Sequence, residues 1–229
     1  MLIAGIDEAG RGPCFGPMTI SIAVIDEKDE AKLRALGVKD SKEILPKKRE
    51  ALLKDVLEIA LEHRTIIVGN VEINDLMTRY SLNEIEEMKM AELIEGLKKK
   101  PALVYIDSPE TNGKKFERKV RKFFSKELGK AKEKELEKLN IVAENKADAN
   151  YTVVGAASIL AKVTRDMEIR KLGKKHGDFG SGYPSDPKTV AYLEKYVAEH
   201  KKLPPFSRIF WANCKLVMEK NDPKQSKLF

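Results

Sequence analysis

Two short apolar runs, each ended by an aspartate and then by turn residues, constrain this chain more than any other feature. The first run is LIAGI, followed by Asp7, and the second is ALVYI, followed by Asp107. Short apolar runs bounded in this way are typical of buried strands. In open α/β sheets, ligands lie in the crevice beyond the carboxyl ends of the strands. The pattern therefore predicts two carboxylates that face each other there, provided that the two strands are neighbours.

The rest of the chain alternates strand and helix patterns. We expect three further strands, over residues 18–25, 64–70 and 140–144. We expect helical stretches at six places, over residues 46–62, 82–98, 114–138, about 149 to 175, 187–200 and 206–220. Neighbouring strands early in the chain, followed by strand–helix alternation, predict an α/β fold with a mixed sheet and a helical C-terminal region.

Composition narrows the kind of ligand that such a site could hold. Hydrophobic residues make up 42% and charged residues 34% of the chain, and no apolar run approaches the roughly 18 residues of a membrane helix. The N-terminus carries acids where an export signal needs basic residues, so we expect a cytoplasmic protein. Cys14 and Cys214 are then expected to be reduced thiols. None of the three histidines pairs at metal-ligand spacing, so a metal would need carboxylates, which favours Mg²⁺ or Mn²⁺.

Charge is unevenly distributed along the chain. Residues 112–138 and residues 171–229 each carry a net charge of +6, whereas the whole chain carries +7, so the remainder is acidic. An acidic centre between two basic segments fits a polyanionic partner. A solvated surface rich in Lys and Glu, as in thermophilic proteins, explains the same pattern.

Two more acids extend the carboxylate pair. Glu8 adjoins Asp7, and adjacent strand residues point to opposite faces, so both serve one site only if the chain turns at the residues 10–13 that follow. Asp148 precedes a predicted helix, where an N-cap is the alternative role. Four acids without a histidine cluster suit two Mg²⁺ ions acting on a phosphodiester. The alternative is a set of unrelated surface acids.

The glycine-rich loop after the first strand has competing interpretations. Its pattern, Gly10-x-Gly12-x-x-x-Gly16, misses the spacing of the dinucleotide fingerprint, and the preceding acids fit a pyrophosphate poorly. The same segment also resembles the first phosphate loop of actin-like phosphotransferases. Those proteins need a second lobe, for which 229 residues leave no room.

Six motifs together resemble the ribonuclease HII family in its archaeal form. They are GIDEAGRGP (5–13), KDSKEI (39–44), YIDSP (105–109), NKADANY (145–151), AASILAKVTRD (156–166) and GSGYPSDP (180–187). The resemblance implies a ribonuclease H-like fold, with a mixed five-stranded sheet flanked by helices. It implies a catalytic domain over residues 1–175 and a helical substrate-binding region over 176–229. It places four catalytic, metal-binding acids at Asp7, Glu8, Asp107 and Asp148, which favours a metal role for Asp148 over an N-cap.

The same resemblance implies an activity and a set of substrate contacts. The family cleaves the RNA strand of RNA–DNA hybrids and incises duplex DNA 5′ of embedded ribonucleotides, leaving a 3′-hydroxyl and a 5′-phosphate. The backbone of Gly10, Arg11 and Gly12 would sense the ribose 2′-hydroxyl, the group that distinguishes RNA from DNA. Tyr183 would pack against the sugar beside the junction. The expected phosphate contacts are Lys42, Lys146, Ser158, Lys162 and Arg165, of which the last three share one helix face.

Some features leave alternatives open. Asn145 stands where the family often has histidine. The tail Gln225–Phe229 resembles a shortened sliding-clamp peptide, although a frayed terminus is the simpler interpretation. The expected partners are RNA–DNA hybrids, ribonucleotide-containing DNA and, through that tail, the clamp, and the protein is expected to be a monomer. A non-catalytic nucleic-acid-binding module of the same fold and an actin-like phosphotransferase are the alternative functions.

Overall fold

A computed structural model of the protein describes residues 1–38, 44–124, 134 and 136–221. It contains one five-stranded sheet, ordered β3-β2-β1-β4-β5. The strands are β1 (Leu2–Ala9), β2 (Met18–Asp26), β3 (Glu62–Val68), β4 (Leu103–Asp107) and β5 (Asn140–Glu144). β1 pairs antiparallel with β2 and parallel with β4, and β4 pairs parallel with β5. The expected mixed sheet is therefore confirmed.

Helices connect and flank these strands. The first five are α1 (Glu30–Ala35), α2 (Pro46–Ile59), α3 (Asn70–Leu76), α4 (Leu82–Glu95) and α5 (Gly113–Lys122). The others are α6 (Ala147–Asn150), α7 (Thr152–His176), α8 (Pro187–His200) and α9 (Ala212–Lys220). Residues 30–35 and 70–76 were not among the predicted helices. These two helices have six and seven residues, and a stretch that short carries little periodicity.

The predicted helices over 46–62 and 82–98 each end three residues earlier, at Ile59 and Glu95, and three others differ more. The expected helix over 114–138 is observed as Gly113–Lys122, and most of its second half lies outside the described residues. The helix expected from about residue 149 is divided, because Tyr151 is extended and separates α6 from α7. The last helix begins at Ala212 rather than near residue 206.

The chain divides into two compact units. The first comprises residues 1–9, 19–67 and 81–164, and the second comprises residues 10–18, 68–80 and 165–229. The division differs from the predicted boundary at residue 175, because the second unit also takes in two early segments. A catalytic domain over residues 1–175 and a substrate-binding region over residues 176–229 stay predictions. Among the described residues, no helix is long and apolar enough to cross a membrane.

The core of the first unit lies between strands β1 and β2 and helices α2 and α7. Gly5 shows how closely the strand and helix approach: a Cβ on this residue would lie 2.4 Å from the Val153 carbonyl carbon. Only glycine allows such a backbone approach without a shift. The buried members of this core include Ile3, Ile25, Leu52, Val56, Val153, Ala157 and Leu160. Helix α7 is thereby held against the face of β1 that carries Ile3, Gly5 and Asp7.

The second unit has a separate, aromatic core. Phe15 lies at its centre, with ring centroids 5.6 Å from Phe179 and 5.0 Å from Phe206. Both cysteines belong to this core as free, buried thiols. Leu193 and Val197 of α8 and Val217 of α9 complete it. This packing anchors the segment 10–18 to the C-terminal helices within the unit.

Candidate active site

Three of the four predicted acids meet in the first unit. Asp7, Asp107 and Asp148 each offer a carboxylate oxygen, and these oxygens lie within 4.8 Å of one another. The parallel register of β1 and β4 pairs Ile6 with Ile106, which brings the two following aspartates side by side, Asp107 at the end of β4 and Asp7 two residues before the end of β1. Asp7 and Asp148 are buried, at 3% and 2% exposure.

Asp148 reaches the group through a turn that the sequence did not reveal. Lys146 has a left-handed backbone, with φ of 61°, and precedes the four-residue helix α6. Non-glycine residues rarely adopt this conformation. Asp148 lies inside α6, not at its N-cap, so the capping alternative is wrong. The amide of Ala147 donates to Asp107 Oδ1 at 2.8 Å, which ties this turn to β4.

Glu8 lies outside the three-aspartate group. Strand β1 continues through Glu8 to Ala9, which pairs with Thr19 of β2, and the chain bends only after the strand, at Arg11 and Gly12. Alternation along the strand therefore directs Glu8 away from the face of Asp7. The Glu8 amide donates to Asp7 Oδ1 at 2.7 Å, and the Glu8 charge helps to raise the pKa of Asp7. A metal-binding role for Glu8 stays a prediction.

The electrostatics of Asp7 are unfavourable for a bare carboxylate. Burial raises its pKa well above the ordinary value, and the charges of Glu8 and Asp107 raise it further. A hydrogen bond with Ser158 and the charge of Lys162 act in the opposite direction. Crowded carboxylates of this kind are compensated by a divalent cation with oxygen ligands. The donor set therefore fits Mg²⁺ or Mn²⁺, which Asp7, Asp107 and Asp148 would hold.

Ser158 and Lys162 form a chain of hydrogen bonds that ends at Asp7. The Lys162 amine donates to Ser158 Oγ at 2.9 Å, and Ser158 is hydrogen-bonded to Asp7. Ser158 is fully buried, so the structure places it behind the carboxylate instead of on an exposed phosphate-binding face. Lys162 is half-buried, and its contact with a phosphate stays a prediction.

The predicted recognition loop lies in the second unit. Gly10 has φ of +83°, and a Cβ there would come within 2.9 Å of the Pro17 carbonyl oxygen, so glycine is required for two reasons. Gly12 is exposed and has no positive φ. A Cβ on Gly12 would lie 3.4 Å from Tyr183 Cε1. Gly12 and Tyr183 therefore lie next to each other and form part of one surface.

Arg165 supports that tyrosine. Its guanidinium carbon lies 5.1 Å from the centroid of the Tyr183 ring, and its Nη2 donates to the Ser181 carbonyl at 2.6 Å. Arg165 is 7% exposed, so its side chain is used mainly by neighbouring protein groups. A phosphate contact for Arg165 stays a prediction, and the structure favours a role in holding Tyr183.

The remaining predicted contacts are differently placed. Lys146 is exposed beside α6, as a phosphate-binding lysine would need to be, while Lys42 lies outside the described residues. Asn145, which replaces the common histidine, donates through Nδ2 to the Ser108 carbonyl at 3.0 Å. It thereby stabilises the turn that follows Asp107.

Sequence reasoning gave no role to Arg208 and Trp211. Arg208 is fully buried and donates to the carbonyls of Gly10, Arg11 and Gly16. Trp211 donates to the carbonyl of Gly12 in the same loop. The available signal was an arginine within the apolar stretch FSRIFW, beside the single tryptophan of the chain. A cation in such a place is expected only where it has several partners.

Removing the charge of Asp7 gives a stability test of this site. The pKa of Asp7 is raised in the folded protein. The contribution of Asp7 to the free energy of unfolding is therefore fully present at low pH, below the pKa of the unfolded chain, and is lost as the pH rises through the folded-state pKa. We expect Asp7→Asn, without metal at neutral pH, to melt a few degrees above wild type, corresponding to about 1 kcal/mol or more. Melting curves in chelator from pH 4 to 8 test this. Adding Mn²⁺ should stabilise wild type but not the variant, and a variant that melts lower at pH 8 would contradict the expectation.

Known proteins resemble this chain over residues of both units. A family model described as Ribonuclease HII matches residues 4–214. Ribonuclease HII of Methanocaldococcus jannaschii is 46% identical over 234 residues, covering 100% of this chain and 99% of that protein. The crystal structure of ribonuclease H2 from Pyrococcus horikoshii superposes with a TM-score of 0.85 at 41% identity, covering 96% of this chain and 99% of that one. The structure of a PCNA:RNase HII complex from Archaeoglobus fulgidus matches with a TM-score of 0.80 at 37% identity, covering 92% and 95%.

Proposed function

Because the chain belongs to the ribonuclease HII family, we propose that it hydrolyses the RNA strand of RNA–DNA hybrids and incises duplex DNA 5′ of embedded ribonucleotides. The observation that carries the proposal is the group of Asp7, Asp107 and Asp148, in which carboxylate oxygens from two adjacent strands and helix α6 lie within 4.8 Å of one another. The expectation of a metal-dependent ribonuclease is confirmed by the family. A non-catalytic module would have no use for a buried carboxylate group that repels phosphate.

The three aspartates supply the metal-binding part of the mechanism. Asp7, Asp107 and Asp148 would hold divalent cations, which when bound would supply activation of the attacking water and charge stabilisation at the leaving 3′-oxygen. Asp107 is oriented for this role by the Ala147 amide, and Asp7 by the Glu8 amide. Ser158 and Lys162 favour the charged form of Asp7, which is the form that binds a cation. Breakage of the P–O3′ bond leaves a 3′-hydroxyl and a 5′-phosphate.

Substrate recognition is assigned to the second unit. The loop of Gly10, Arg11 and Gly12 would read the ribose 2′-hydroxyl with its backbone, and Tyr183 would pack against the adjacent sugar. The exposure of Gly12 beside the tyrosine ring supports this assignment, because glycine has no side chain of its own to cover the backbone there. A 2′-hydroxyl both donates and accepts hydrogen bonds, so backbone groups suffice to detect it.

A DNA duplex that carries a single ribonucleotide tests the function directly. We expect incision on its 5′ side in Mg²⁺ or Mn²⁺, no incision in chelator, and no cleavage of the all-DNA duplex. Labelling both ends of the products reports the 3′-hydroxyl and 5′-phosphate. Cleavage of hybrids without any cleavage of the single-ribonucleotide duplex would remove the second half of the proposal. No cleavage of either substrate would remove both halves.

Lys162 offers a test of phosphate binding. The slope of log affinity against log salt concentration is negative for a protein that contacts phosphates. If Lys162 contacts one phosphate, Lys162→Ala should reduce the magnitude of this slope by about one. Binding of a ribonucleotide-containing duplex in chelator, titrated between low and moderate salt, measures this slope. Lys32→Ala, which removes an exposed lysine paired with Asp29, is the matched control and should leave the slope unchanged. An unchanged slope for Lys162→Ala, with reduced cleavage, would limit Lys162 to supporting Asp7 through Ser158.

A sliding clamp is the second proposed partner, through the tail Gln225–Phe229. The tail resembles clamp-binding peptides, and the Archaeoglobus fulgidus protein, which is 37% identical, has been solved in complex with PCNA. The tail lies outside the described residues, so the support comes from sequence and from that relative. Deleting these five residues should abolish clamp binding in a calorimetric titration without changing cleavage of naked substrate.

A further inference from the structure

Two side chains near the C-terminus bind three successive carbonyls of the recognition loop. Arg208 donates from Nη2 to the Gly10 carbonyl at 2.7 Å and from Nη1 to the Arg11 carbonyl at 3.1 Å. Trp211 donates from Nε1 to the Gly12 carbonyl at 3.1 Å. These residues belong to one unit of the structure, and 198 positions separate Gly10 from Arg208 in the sequence.

Anchoring these carbonyls fixes the direction of the amides. In a planar trans peptide, the C=O and the following N–H point in opposite directions. The carbonyls of Gly10 and Arg11 point toward Arg208, so the amides of Arg11 and Gly12 are directed away from it. The carbonyl of Gly12 is followed by Pro13, which has no amide hydrogen. The loop therefore directs two adjacent donors to the side opposite the guanidinium.

Arginine is suited to this position by its shape as well as its charge. Arg208 is fully buried, and its Nε donates to the Gly16 carbonyl at 2.9 Å, so each of its three nitrogens binds a carbonyl of the same loop. The Trp211 ring lies 4.9 Å from the guanidinium carbon. The main-chain amide of Arg208 also donates to the Cys14 carbonyl at 2.8 Å. A lysine ammonium is a single point donor and cannot reproduce this planar fork.

We propose that Arg208, assisted by Trp211, is a positioning residue for ribonucleotide specificity: it orients the Arg11 and Gly12 amides toward the sugar of the substrate. The proposal rests on the proposed function, because it assigns the 2′-hydroxyl as the group that these amides detect. Arg208 itself touches no substrate, since it is buried behind the loop. Its loss should therefore reduce discrimination between ribonucleotide and deoxyribonucleotide more than it reduces affinity for DNA in general.

Arg208→Lys tests the proposal while it retains the buried charge. We expect kcat/KM on the single-ribonucleotide duplex to fall by about tenfold or more, as expected for misplaced hydrogen-bond donors at a desolvated site. The inhibition constant of an all-DNA duplex, measured as competitor, should stay within about twofold of wild type. Arg79→Lys, at an exposed arginine paired with Asp75 in the same unit, is the matched control and should change neither quantity.

A structural role alone predicts a different result. In that case Arg208→Lys would lower the melting temperature, yet below that temperature it would cleave with wild-type kcat/KM, or lose cleavage and plain-DNA affinity equally. Either result would overturn the proposal. Faster hydrogen exchange at residues 10–13 in the variant, at a temperature where the protein is folded, would support it.

Trp211→Phe provides a second variant if Arg208→Lys does not fold. It removes one donor and keeps an aromatic ring beside the guanidinium, so we expect a smaller loss in the same direction, with unchanged affinity for plain DNA. A wild-type ratio of cleavage to plain-DNA affinity would count against the proposal. Failure of the proposed function is distinguishable: there wild type itself does not incise the single-ribonucleotide duplex, whereas here wild type incises it and the variants do so equally well.

Discussion

Asp107→Asn should lose about a thousandfold or more in kcat while it keeps the wild-type fold. The change removes a charged oxygen from the three-aspartate group but preserves the side-chain volume. Asn can still accept the Ala147 amide through Oδ1, as Asp107 does at 2.8 Å, so the turn before α6 should persist. A metal centre contributes several kcal/mol to the transition state, and about 4 kcal/mol corresponds to a thousandfold in rate.

Single-turnover cleavage of the ribonucleotide-containing duplex, with melting curves on the same samples, measures this effect. A calorimetric Mn²⁺ titration should show weaker or fewer bound ions in the variant. Asp75→Asn is the matched control, because Asp75 is an exposed aspartate paired with Arg79 and remote in sequence from the predicted acids. Near-normal turnover by Asp107→Asn, with a normal melting curve, would remove Asp107 from the catalytic group.

Gly12→Ala is expected to impair cleavage tenfold to a hundredfold without impairing folding. Gly12 is exposed and has no positive φ, so alanine fits its backbone. The new Cβ would lie 3.4 Å from Tyr183 Cε1, which is an ordinary contact. The methyl group would nevertheless occupy the surface where the sugar is expected, and loss of a buried hydroxyl contact costs roughly 1–3 kcal/mol.

The informative comparison is between cleavage and binding. We expect the single-ribonucleotide duplex to be cleaved slowly while affinity for plain duplex is retained. Gly173→Ala is the control, because within the described residues the Cβ that it adds in α7 meets no atom within 4 Å other than those of its own helical turn and chain neighbours. Equal losses in cleavage and in plain-duplex affinity would show that the loop is a structural turn, and the 2′-hydroxyl would then be read elsewhere.

The strand-end aspartates could be identified from local pattern. Apolar runs of strand length predict buried strands. The acids that directly follow these runs lie toward the carboxyl ends of the two strands, where the structure brings Asp7 and Asp107 together. Strand β5 was predicted with its observed bounds, Asn140–Glu144. These features depend on periodicity within a few residues, which the sequence carries directly.

Other features depended on contacts between residues distant in the chain. The straight course of β1 past Glu8 results from its pairing with β2, and the left-handed turn at Lys146 places Asp148 in the three-aspartate group. Ser158 turns toward Asp7 because α7 packs on the face of β1 that bears this aspartate. Local propensity contains no term for any of these contacts.

Short motifs and local hydrophobic patterns were enough to identify the family, the mixed α/β fold and the three acids that meet in the site, Asp7 and Asp107 from the apolar runs before them and Asp148 from its family motif. The packing of distant segments was needed to show which predicted polar residues are exposed and which support other residues. Arg208 is the clearest case, since its three carbonyl partners lie more than 190 positions away in the chain. The physical reason is that a buried cation must find its hydrogen-bond partners wherever packing brings them, and packing is not encoded in the spacing of neighbouring residues.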